Sequence, residues 1–339
     1  LLRIVTHLAI FIDMICPNTI DEADKSRLIT AYVTILSLYE LYETVPVYIS
    51  FLNKQESEEA YSFFLSNLVD SDVREKQLQL SNFLQLPTAN ILRRTAQRIF
   101  ADTEQYYNPE TTITVNYDIS DIDRRLMSGA EWLLEGKLYA DAIDSIIALS
   151  RRFLINGKIK SLEHFFNRKD LNEIIKHHEM DKLASKSSNE EDLTILEIKQ
   201  YQNLLQGFKK YEEWKKSSSL FNSQSNLPTL VKQFKEFSNG IYQLIKDFLV
   251  YLSEDERVQD KEALFEIRAL YTPYLVIELH KSLVSASESL KISSFINEAL
   301  NLTNLVANET DKIYLLFQSS GRLKEYLQLI ARSATLLAH

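Results

Sequence analysis

Two adjacent histidines are the side chains of this chain that most resemble metal ligands. His177 and His178 precede Glu179 in the stretch IIKHHEMDK. A metal site on a helix needs ligands spaced three or four residues apart, whereas adjacent side chains on a helix point about 100 degrees apart. The next histidine upstream, His164, is thirteen residues before His177, and no cysteine lies nearby. The pattern therefore favours a solvated helix face over a metal site.

Three aspartates form a second candidate site. Asp118, Asp121 and Asp123 in DISDID resemble the acidic clusters with which all-helical enzymes hold magnesium near a diphosphate. Such an enzyme also needs an acidic cluster on a facing helix, and the sequence offers none with suitable spacing. Ser120 or Asp121 can instead cap the helix that runs towards Trp132, because a short side-chain oxygen accepts hydrogen bonds from the free amides at a helix start. Helix capping is the preferred interpretation, and a magnesium-dependent all-helical enzyme is the alternative.

Cys16 is the one cysteine of the chain and a candidate nucleophile. A catalytic thiol needs a neighbouring base and an electropositive setting that favour the thiolate, and Cys16 instead lies between Ile15 and Pro17. The sequence also lacks GxSxG, P-loop and dinucleotide-binding motifs, and its six glycines leave little material for a loop that holds phosphate. We predict that the protein has no catalytic residues, no metal and no cofactor.

The stretch FKKYEEWKK, residues 208–216, combines four lysines with Tyr211 and Trp214, a mixture found on surfaces that bind nucleic acid. Glu212 and Glu213 offset half of this positive charge. The whole chain has a formal charge of −9, which is the wrong sign for a dedicated phosphate-binding protein. We therefore predict that Tyr211 and Trp214 pack inward and that the protein does not bind nucleic acid directly.

No stretch of the sequence predicts a transmembrane segment. The apolar run from Ile4 to Ile15 is interrupted by His7 and Asp13 and is shorter than the roughly 20 residues that span a bilayer. The stretch SSSLFNSQS, residues 217–225, resembles curvature-sensing membrane segments in composition, but its shortness favours a solvated loop. Because the sequence opens with leucine rather than methionine, we expect a fragment of a longer protein.

Composition predicts an all-helical fold. The chain has 339 residues, of which 45% are hydrophobic, so it must bury a core. Glycine and proline are rare, at six residues each, far below their usual combined level of about 12%. This leaves too few turn residues for a sheet of many strands. A single cysteine also rules out a disulfide within the chain.

Apolar residues recur at alternating steps of four and three, which predicts amphipathic helices at both ends of the chain. The stripes are Leu28, Tyr32, Ile35, Tyr39 and Tyr42 near the start, Ile292, Phe295, Ile296, Ala299 and Val306 later, and Leu323, Leu327, Ile330, Ala334 and Leu337 at the end. Each stripe must be covered by a neighbour.

Short breaks rich in Pro, Gly, Asn and Ser separate the predicted helices, and short connections join antiparallel neighbours. They are Cys16 to Asn18, Asn53 to Ser57, Gly136, Asn156 to Gly157 and Ser319 to Gly321. Thr88 is predicted to cap the helix through Ile91. Longer loops are predicted at Tyr107 to Ser120, Ser185 to Asp192 and Lys216 to Thr229.

These patterns predict an all-α fold, an irregular and elongated α-solenoid of stacked antiparallel helices. No tetratricopeptide signature or other fixed-period repeat occurs. The predicted organisation is a helical segment at residues 1–106, an extended loop at 107–120, and a C-terminal helical segment at 121–339 whose end docks a partner.

Several stretches together resemble one protein family. They are LITAYVTILSLYELYETVPVYISFL and AYSFFL in the first 65 residues, AEWLLEGKLYADAIDSIIALSRRFLINGK from residue 130, YQNLLQGFKKYEEWKK from residue 201, and RALYTPYLVIELHKSL with LTNLVANETDKIYLLFQSSGRLKEYL near the end. In this order they resemble the C-terminal half of the helical stalk nucleoporin of the Y-shaped coat of the nuclear pore. This is the class of eighty-four kilodaltons in yeasts and one hundred and seven in vertebrates.

The resemblance implies a non-enzymatic scaffold at the nuclear pore, in the nuclear envelope, that supports pore assembly, nucleocytoplasmic transport and mRNA export. It implies that this region docks against the C-terminal helices of the stalk nucleoporin of one hundred and thirty-three kilodaltons. It also implies that a missing N-terminal part binds further coat nucleoporins. The alternative that stays open is another all-helical coat or adaptor scaffold.

The apolar residues of the last helices cover more than one stripe, so we expect them to contact the partner. The predicted interface residues are Leu300, Leu305, Val306, Ile313, Leu316, Phe317, Leu323, Tyr326 and Leu327. Aspartate at Leu316 and Phe317 is predicted to abolish partner binding while the helical content stays intact.

Overall fold

The computed structural model describes residues 1–17, 19–109, 116, 118–184, 192–219, 227–258 and 260–338. Within them every regular element is helical, so the prediction of an all-helical fold is confirmed. None of these helices has both the length and the apolar composition needed to cross a membrane. The helices are α1 Leu2–Ile15, α2 Glu22–Leu38, α3 Val45–Ile49, α4 Lys54–Leu65, α5 Ser71–Phe83, α6 Thr88–Glu104, α7 Asp121–Glu135, α8 Tyr139–Ile155, α9 Ile159–Arg168, α10 Leu171–Ala184, α11 Leu193–Ser219, α12 Leu227–Asp247, α13 Val250–Glu254, α14 Lys261–Leu290, α15 Ser294–Ala307, α16 Ile313–Ser319 and α17 Leu323–Ala338, with a 3₁₀ turn at Tyr42–Thr44.

The helices form two compact units. The first unit holds α1 to α7, α8 as far as Leu149, and α10, and the second holds α8 from Ser150, α9, and α11 to α17. Within the units, helices adjacent in sequence pack together, as α6 does on α7 and α14 on α15. The predicted division at 107–120 stays a prediction, and residues 110–115 and 117 of that predicted loop lie outside the described part.

Among the described helices, five end in the same hydrogen-bonded turn, in which a left-handed residue lets the next N–H reach a carbonyl five residues earlier. After α7, for example, Leu138 N–H donates to the Leu133 carbonyl at 2.9 Å. The left-handed residues, after α2, α5, α7, α8 and α14, are Glu40, Gln85, Lys137, Gly157 and Lys291. Glycine is the usual residue at such positions, yet four of these five turns use a residue with a side chain.

The predicted stripe of α2 is wrong at its C-terminal end. The helix ends at Leu38, and Tyr39 is 74% exposed, because the left-handed turn at Glu40 reverses the chain. The face that the helix buries instead is Ile29, Tyr32, Val33 and Leu36. By contrast, the stripe of α15 is buried at Phe295, Ile296, Ala299 and Val306, as predicted.

Helix capping follows the prediction at α7 and departs from it at α6. The Ser120 hydroxyl accepts from the Asp123 N–H, and the Asp123 carboxylate accepts from the Ser120 N–H at 2.9 Å, which is a capping box. Thr88 is wrong as a cap: it is the first residue of α6, and its hydroxyl pairs with the Ser81 hydroxyl at 2.7 Å.

Two predicted breaks are shorter than expected. Asn53 caps α4 by accepting from the Glu56 N–H at 3.0 Å, so the break from Asn53 to Ser57 ends where the helix begins, at Lys54. The break from Lys216 to Thr229 is helical at both ends, since α11 runs to Ser219 and α12 begins at Leu227. Residues 185–191 and 220–226 lie outside the described part.

The aromatic residues of FKKYEEWKK pack inward, as predicted. The Trp214 ring lies 4.7 Å from the Phe234 ring, and the Tyr211 ring lies 6.0 Å from the Phe237 ring. These contacts hold α11 against α12, and this apolar contact explains why α11 continues to Ser219.

A buried ion cluster joins α5 to α7 in the first unit. The Arg74 guanidinium is fully buried and donates to Glu131 at 2.6 Å, to Glu135 at 2.7 Å and 3.0 Å, and to the Val69 carbonyl at 2.6 Å. It also lies over the Trp132 ring. Hydrogen bonds and the charges of both glutamates outweigh the cost of burial and raise the pKa of Arg74. Arg74 therefore stays charged.

Replacing Arg74 tests this cluster. Arg74→Met leaves two carboxylates without their cation, so we expect a loss of about 3–5 kcal/mol in the free energy of unfolding. Lys76→Met on the same helix is the control, because Lys76 pairs with Glu43 at the surface and such pairs contribute below about 1 kcal/mol. Urea denaturation followed by circular dichroism measures both, and equal losses would contradict the proposed role of Arg74.

A buried histidine joins α14 to α17 in the second unit. His280 Nε2 lies 2.8 Å from the Ser333 hydroxyl, which itself donates to the Leu329 carbonyl at 3.0 Å. Since the hydroxyl hydrogen is used there, Nε2–H donates to Ser333 and Nδ1 is unprotonated. Nδ1 has no hydrogen-bond partner among the described residues. The Tyr326 ring packs edge-on against the imidazole, and burial lowers the pKa of His280 to about 4.

Acidification should therefore weaken the second unit. The folded pKa lies below the ordinary value of about 6.5, so the stabilisation is complete above pH 6.5 and is lost as the pH falls towards 4. Between pH 7.5 and 5 we expect the wild-type chain to lose roughly 2 kcal/mol more than His280→Gln, which keeps a donor to Ser333 and does not titrate. Urea denaturation at both pH values measures this, and parallel losses would refute it.

Candidate partner-binding surface

The last four helices are set by turns that the sequence specifies locally. The Lys291 turn reverses α14 into α15, and the Ser287 hydroxyl donates to the Ile292 carbonyl at 2.9 Å across it. Asn308 accepts from the Thr310 N–H at 2.9 Å between α15 and α16. Gly321 follows α16 with a φ of +67°, and no atom lies within 4 Å of the position that a Cβ would take there. The chain then continues into α17. The result is that α15, α16 and α17 all contact the long helix α14.

Most of the predicted interface residues lie in the core of this unit. Leu300 and Leu323 are partly buried, and Leu327 is 55% exposed. The residues buried against the chain's own helices are Leu305, Val306, Ile313, Leu316, Phe317 and Tyr326. Phe317 stacks on Tyr326 with ring centroids 5.0 Å apart. These six residues pack the chain's own helices together and are not accessible at the surface.

One face of α17 is apolar and open. We call Leu323, Leu327, Ile330, Ala334 and Leu337 the terminal stripe. Its members recur at steps of four and three and so share one face of the helix. Leu327 is 55% exposed and Leu337 is 45% exposed. The side of α17 that carries Tyr326 and Ser333 is buried. Leu323 and Ile330 are partly buried, so the described helices cover the terminal stripe only in part.

Polar contacts fix the terminal stripe in place. Arg322 donates to Glu325 at 3.0 Å and lies over the Tyr274 ring of α14. Glu325 also pairs with Lys281 of α14 at 3.6 Å. Together with the bond between His280 and Ser333, these contacts hold α17 along α14. The terminal stripe therefore belongs to a helix that polar contacts attach to α14.

The terminal stripe offers no chemistry beyond apolar contact. Its side chains are aliphatic, so they neither ligate a metal nor transfer a proton. Exposed apolar faces of this kind are typical of protein interaction sites. The sequence pattern identified the members of the terminal stripe, but not which side of α17 the chain covers itself.

The aspartates of DISDID act at the start of α7. Asp123 is buried and also accepts from the Tyr107 hydroxyl at 2.7 Å, and Asp121 pairs with Arg124 at 2.7 Å. Asp118 is exposed. Within the described residues no three metal-ligating side chains gather. The geometry fits helix capping, and it gives no support to the magnesium alternative.

The two histidines of α10 have different environments. His177 is 44% exposed at its side chain and stacks on Tyr139, with ring centroids 4.8 Å apart. His178 is buried, so the prediction of a solvated face is wrong for it. The cause is that α10 buries a face formed by Leu171, Ile174, Ile175 and His178. Cys16 is exposed and has no disulfide.

Comparison with known proteins gives consistent matches along the chain. The family model for nuclear pore protein 84 / 107 matches residues 1–334. The chain is 25% identical over 359 residues to nucleoporin nup107 of Schizosaccharomyces pombe, which covers 98% of this chain and 42% of that protein. It is 23% identical over 379 residues to the nuclear pore complex protein Nup107 of Mus musculus and to that of Homo sapiens, covering 99% of this chain and 40% of each.

The chain therefore spans about two fifths of the length of the curated relatives that it matches. The family match is nearly complete along this chain, and the all-helical fold agrees with the resemblance seen in the sequence. This chain belongs to the nuclear pore protein 84 / 107 family.

Proposed function

We propose that this chain is part of a non-catalytic scaffold subunit of the nuclear pore coat, located at the nuclear envelope. In this role it supports pore assembly, nucleocytoplasmic transport and mRNA export. Membership of the nuclear pore protein 84 / 107 family supports the proposal. An all-helical fold in which the apolar faces of helices are covered by other helices also suits a structural role.

The finer proposal is that α17 binds the C-terminal helices of the stalk nucleoporin of one hundred and thirty-three kilodaltons. The observation that carries it is the terminal stripe, which is apolar, is exposed at Leu327 and Leu337, and lies on a helix bonded to α14. Burying one leucine side chain that was exposed contributes about 1.5–3 kcal/mol. Leu327 and Leu337 can therefore supply the anchors that dominate a helix interface.

One charged residue beside the terminal stripe suits the rim of such an interface. Lys324 is exposed on α17 and borders the stripe on the helix surface. Interfaces commonly surround an apolar centre with polar residues that stay in contact with water. A partner helix would therefore lie along the terminal stripe, and its own apolar face would be covered in the same contact.

A charge placed on the terminal stripe tests the docking proposal. The double variant Leu327→Asp, Leu337→Asp should weaken binding to the recombinant C-terminal helices of that partner at least 30-fold, because both anchors would be replaced by charges. Gln328→Asp is the control, since it adds a carboxylate at an exposed position of α17 outside the stripe. Calorimetry measures affinity, and circular dichroism checks the fold. Unchanged affinity in the double variant would place the interface elsewhere.

Aspartate at Leu316 and Phe317 does not serve as this test. Leu316 is 2% exposed and Phe317 is fully buried, so a charge there would disrupt the packing of α16 on α14. The prediction that these two variants keep their helical content is therefore replaced by the opposite expectation. The exposed positions of α17 separate binding from folding.

Location in the cell separates the proposal from its alternative. We expect the full-length protein, tagged with a fluorescent protein, to form a continuous rim around the nucleus. Another all-helical coat or adaptor scaffold would give vesicle-like spots in the cytoplasm instead. Fluorescence microscopy of dividing and resting cells, beside a marker of the nuclear envelope, distinguishes the two patterns.

A further inference from the structure

A groove in the first unit lies between the outer faces of α2 and α4. Its volume is about 710 Å³, within the range of sites that bind ligands or the side chains of a peptide. Small side chains form much of the α2 wall, among them Ala23, Ala31 and Thr34. Ala60 and Phe63 belong to the α4 wall. Small side chains allow the backbone of another helix to approach closely.

The groove follows both helices for several turns. Its lining on α2 runs from Ala23 to Leu38, fifteen residues apart, which corresponds to about 22 Å of helix. Ser26 near the start of α2 donates to Glu56 near the start of α4, so the two helices begin at the same end of the groove. A helix of about four turns has the length to lie between them.

One end of the groove carries the Glu56 carboxylate and also Arg27, which is paired with Asp24. Glu56 is half-buried in its wall, and the carboxylate accepts from Ser26 and from the Asn53 amide at 2.8 Å. No cation among the described residues pairs with Glu56. The neighbouring Glu59 is different, because it is already paired with Arg94 and Arg98. A half-buried carboxylate with no cation favours a positively charged group brought by a partner.

Large apolar side chains lie at the other end of the groove. Phe63 is 57% exposed and Leu38 is 77% exposed, and both line the groove. The Arg98 guanidinium lies over the Phe63 ring at 5.4 Å. Large apolar side chains so exposed are typical of the anchoring end of a docking site.

We propose that this groove binds one amphipathic α-helix of a protein partner, with a lysine or arginine at Glu56 and a large apolar side chain at Phe63. Glu56 and Phe63 are seven residues apart on α4, or two helical turns. The matching residues of the partner are therefore also seven positions apart on one face, with small residues between them. This contact lies in the first unit and is independent of the terminal stripe, so either proposal can fail without the other.

The test uses a designed probe and the full 339-residue chain. The probe is a fluorescein-labelled 18-residue helical peptide that carries a lysine and a leucine seven positions apart on an alanine-lined face. A second peptide has the same composition with the lysine and leucine on opposite faces. Fluorescence anisotropy should show that the first peptide binds at least tenfold more tightly than the second. Equal affinities, or no binding of the first peptide, would overturn the proposal.

Two substitutions test whether the probe peptide binds in the groove. Ala31→Trp fills the groove from an exposed position of α2 and should weaken binding at least tenfold. Ala101→Trp, at an exposed position of α6 outside the groove, is the matched control and should leave affinity unchanged. Thermal unfolding checks that both variants fold. Binding that is insensitive to Ala31→Trp would overturn the proposal.

A charge exchange tests the role of Glu56. Glu56→Lys should weaken binding of the lysine peptide and restore binding to a peptide that carries glutamate at that position. The same exchange at Glu104, which is exposed on α6, should change neither affinity. Failure of the exchange refutes the orientation that we propose. Sedimentation of the chain alone gives one further outcome: a dimer that Ala31→Trp dissociates would assign the groove to a second copy and overturn the proposal.

Discussion

A helix of this protein is stable only where other helices cover its apolar face. Short isolated helices are marginal in water, and tertiary packing supplies most of their stability. The effect is clearest at α14, whose side chains are buried on several sides by α12, α15, α16 and α17. The same requirement determines which apolar side chains remain exposed at the surface. At α17 one side is covered by the chain itself, and Leu327 and Leu337 of the terminal stripe remain exposed.

Buried polar groups decide how the helices are aligned. Apolar faces tolerate sliding by a turn, whereas Arg74 satisfies Glu131 and Glu135 in only one alignment of α5 and α7. His280 and Ser333 act in the same way between α14 and α17. We infer that these groups contribute to a unique packing as well as to stability. Alignment also determines which face of α17 is exposed, because a shift of one residue would rotate the terminal stripe by about 100 degrees around the helix axis.

The sequence predicts the fold better than it predicts the surfaces. The scarcity of glycine and proline was sufficient to predict the all-helical class. The short polar side chain of Ser120 was sufficient to predict the cap of α7. Periodicity identified the apolar residues of α16 and α17, but it does not show which of them pack against the chain's own helices. Phe317 was therefore predicted as an interface residue, although it is buried. The Arg74 cluster joins residues 57 positions apart, and no local pattern predicts such a pair. The groove likewise exists only after α2 and α4 are placed side by side.

The left-handed turns at Glu40, Gln85, Lys137 and Lys291 also affect the chain before it folds. A side chain in that conformation costs roughly 1–2 kcal/mol of steric strain that glycine would avoid. Glycine, however, would widen the range of backbone conformations open to the denatured ensemble and so raise the entropy lost on folding. The two effects oppose each other. Reversals built from ordinary residues thus accept some strain in the native state and leave fewer disordered conformations to compete with it.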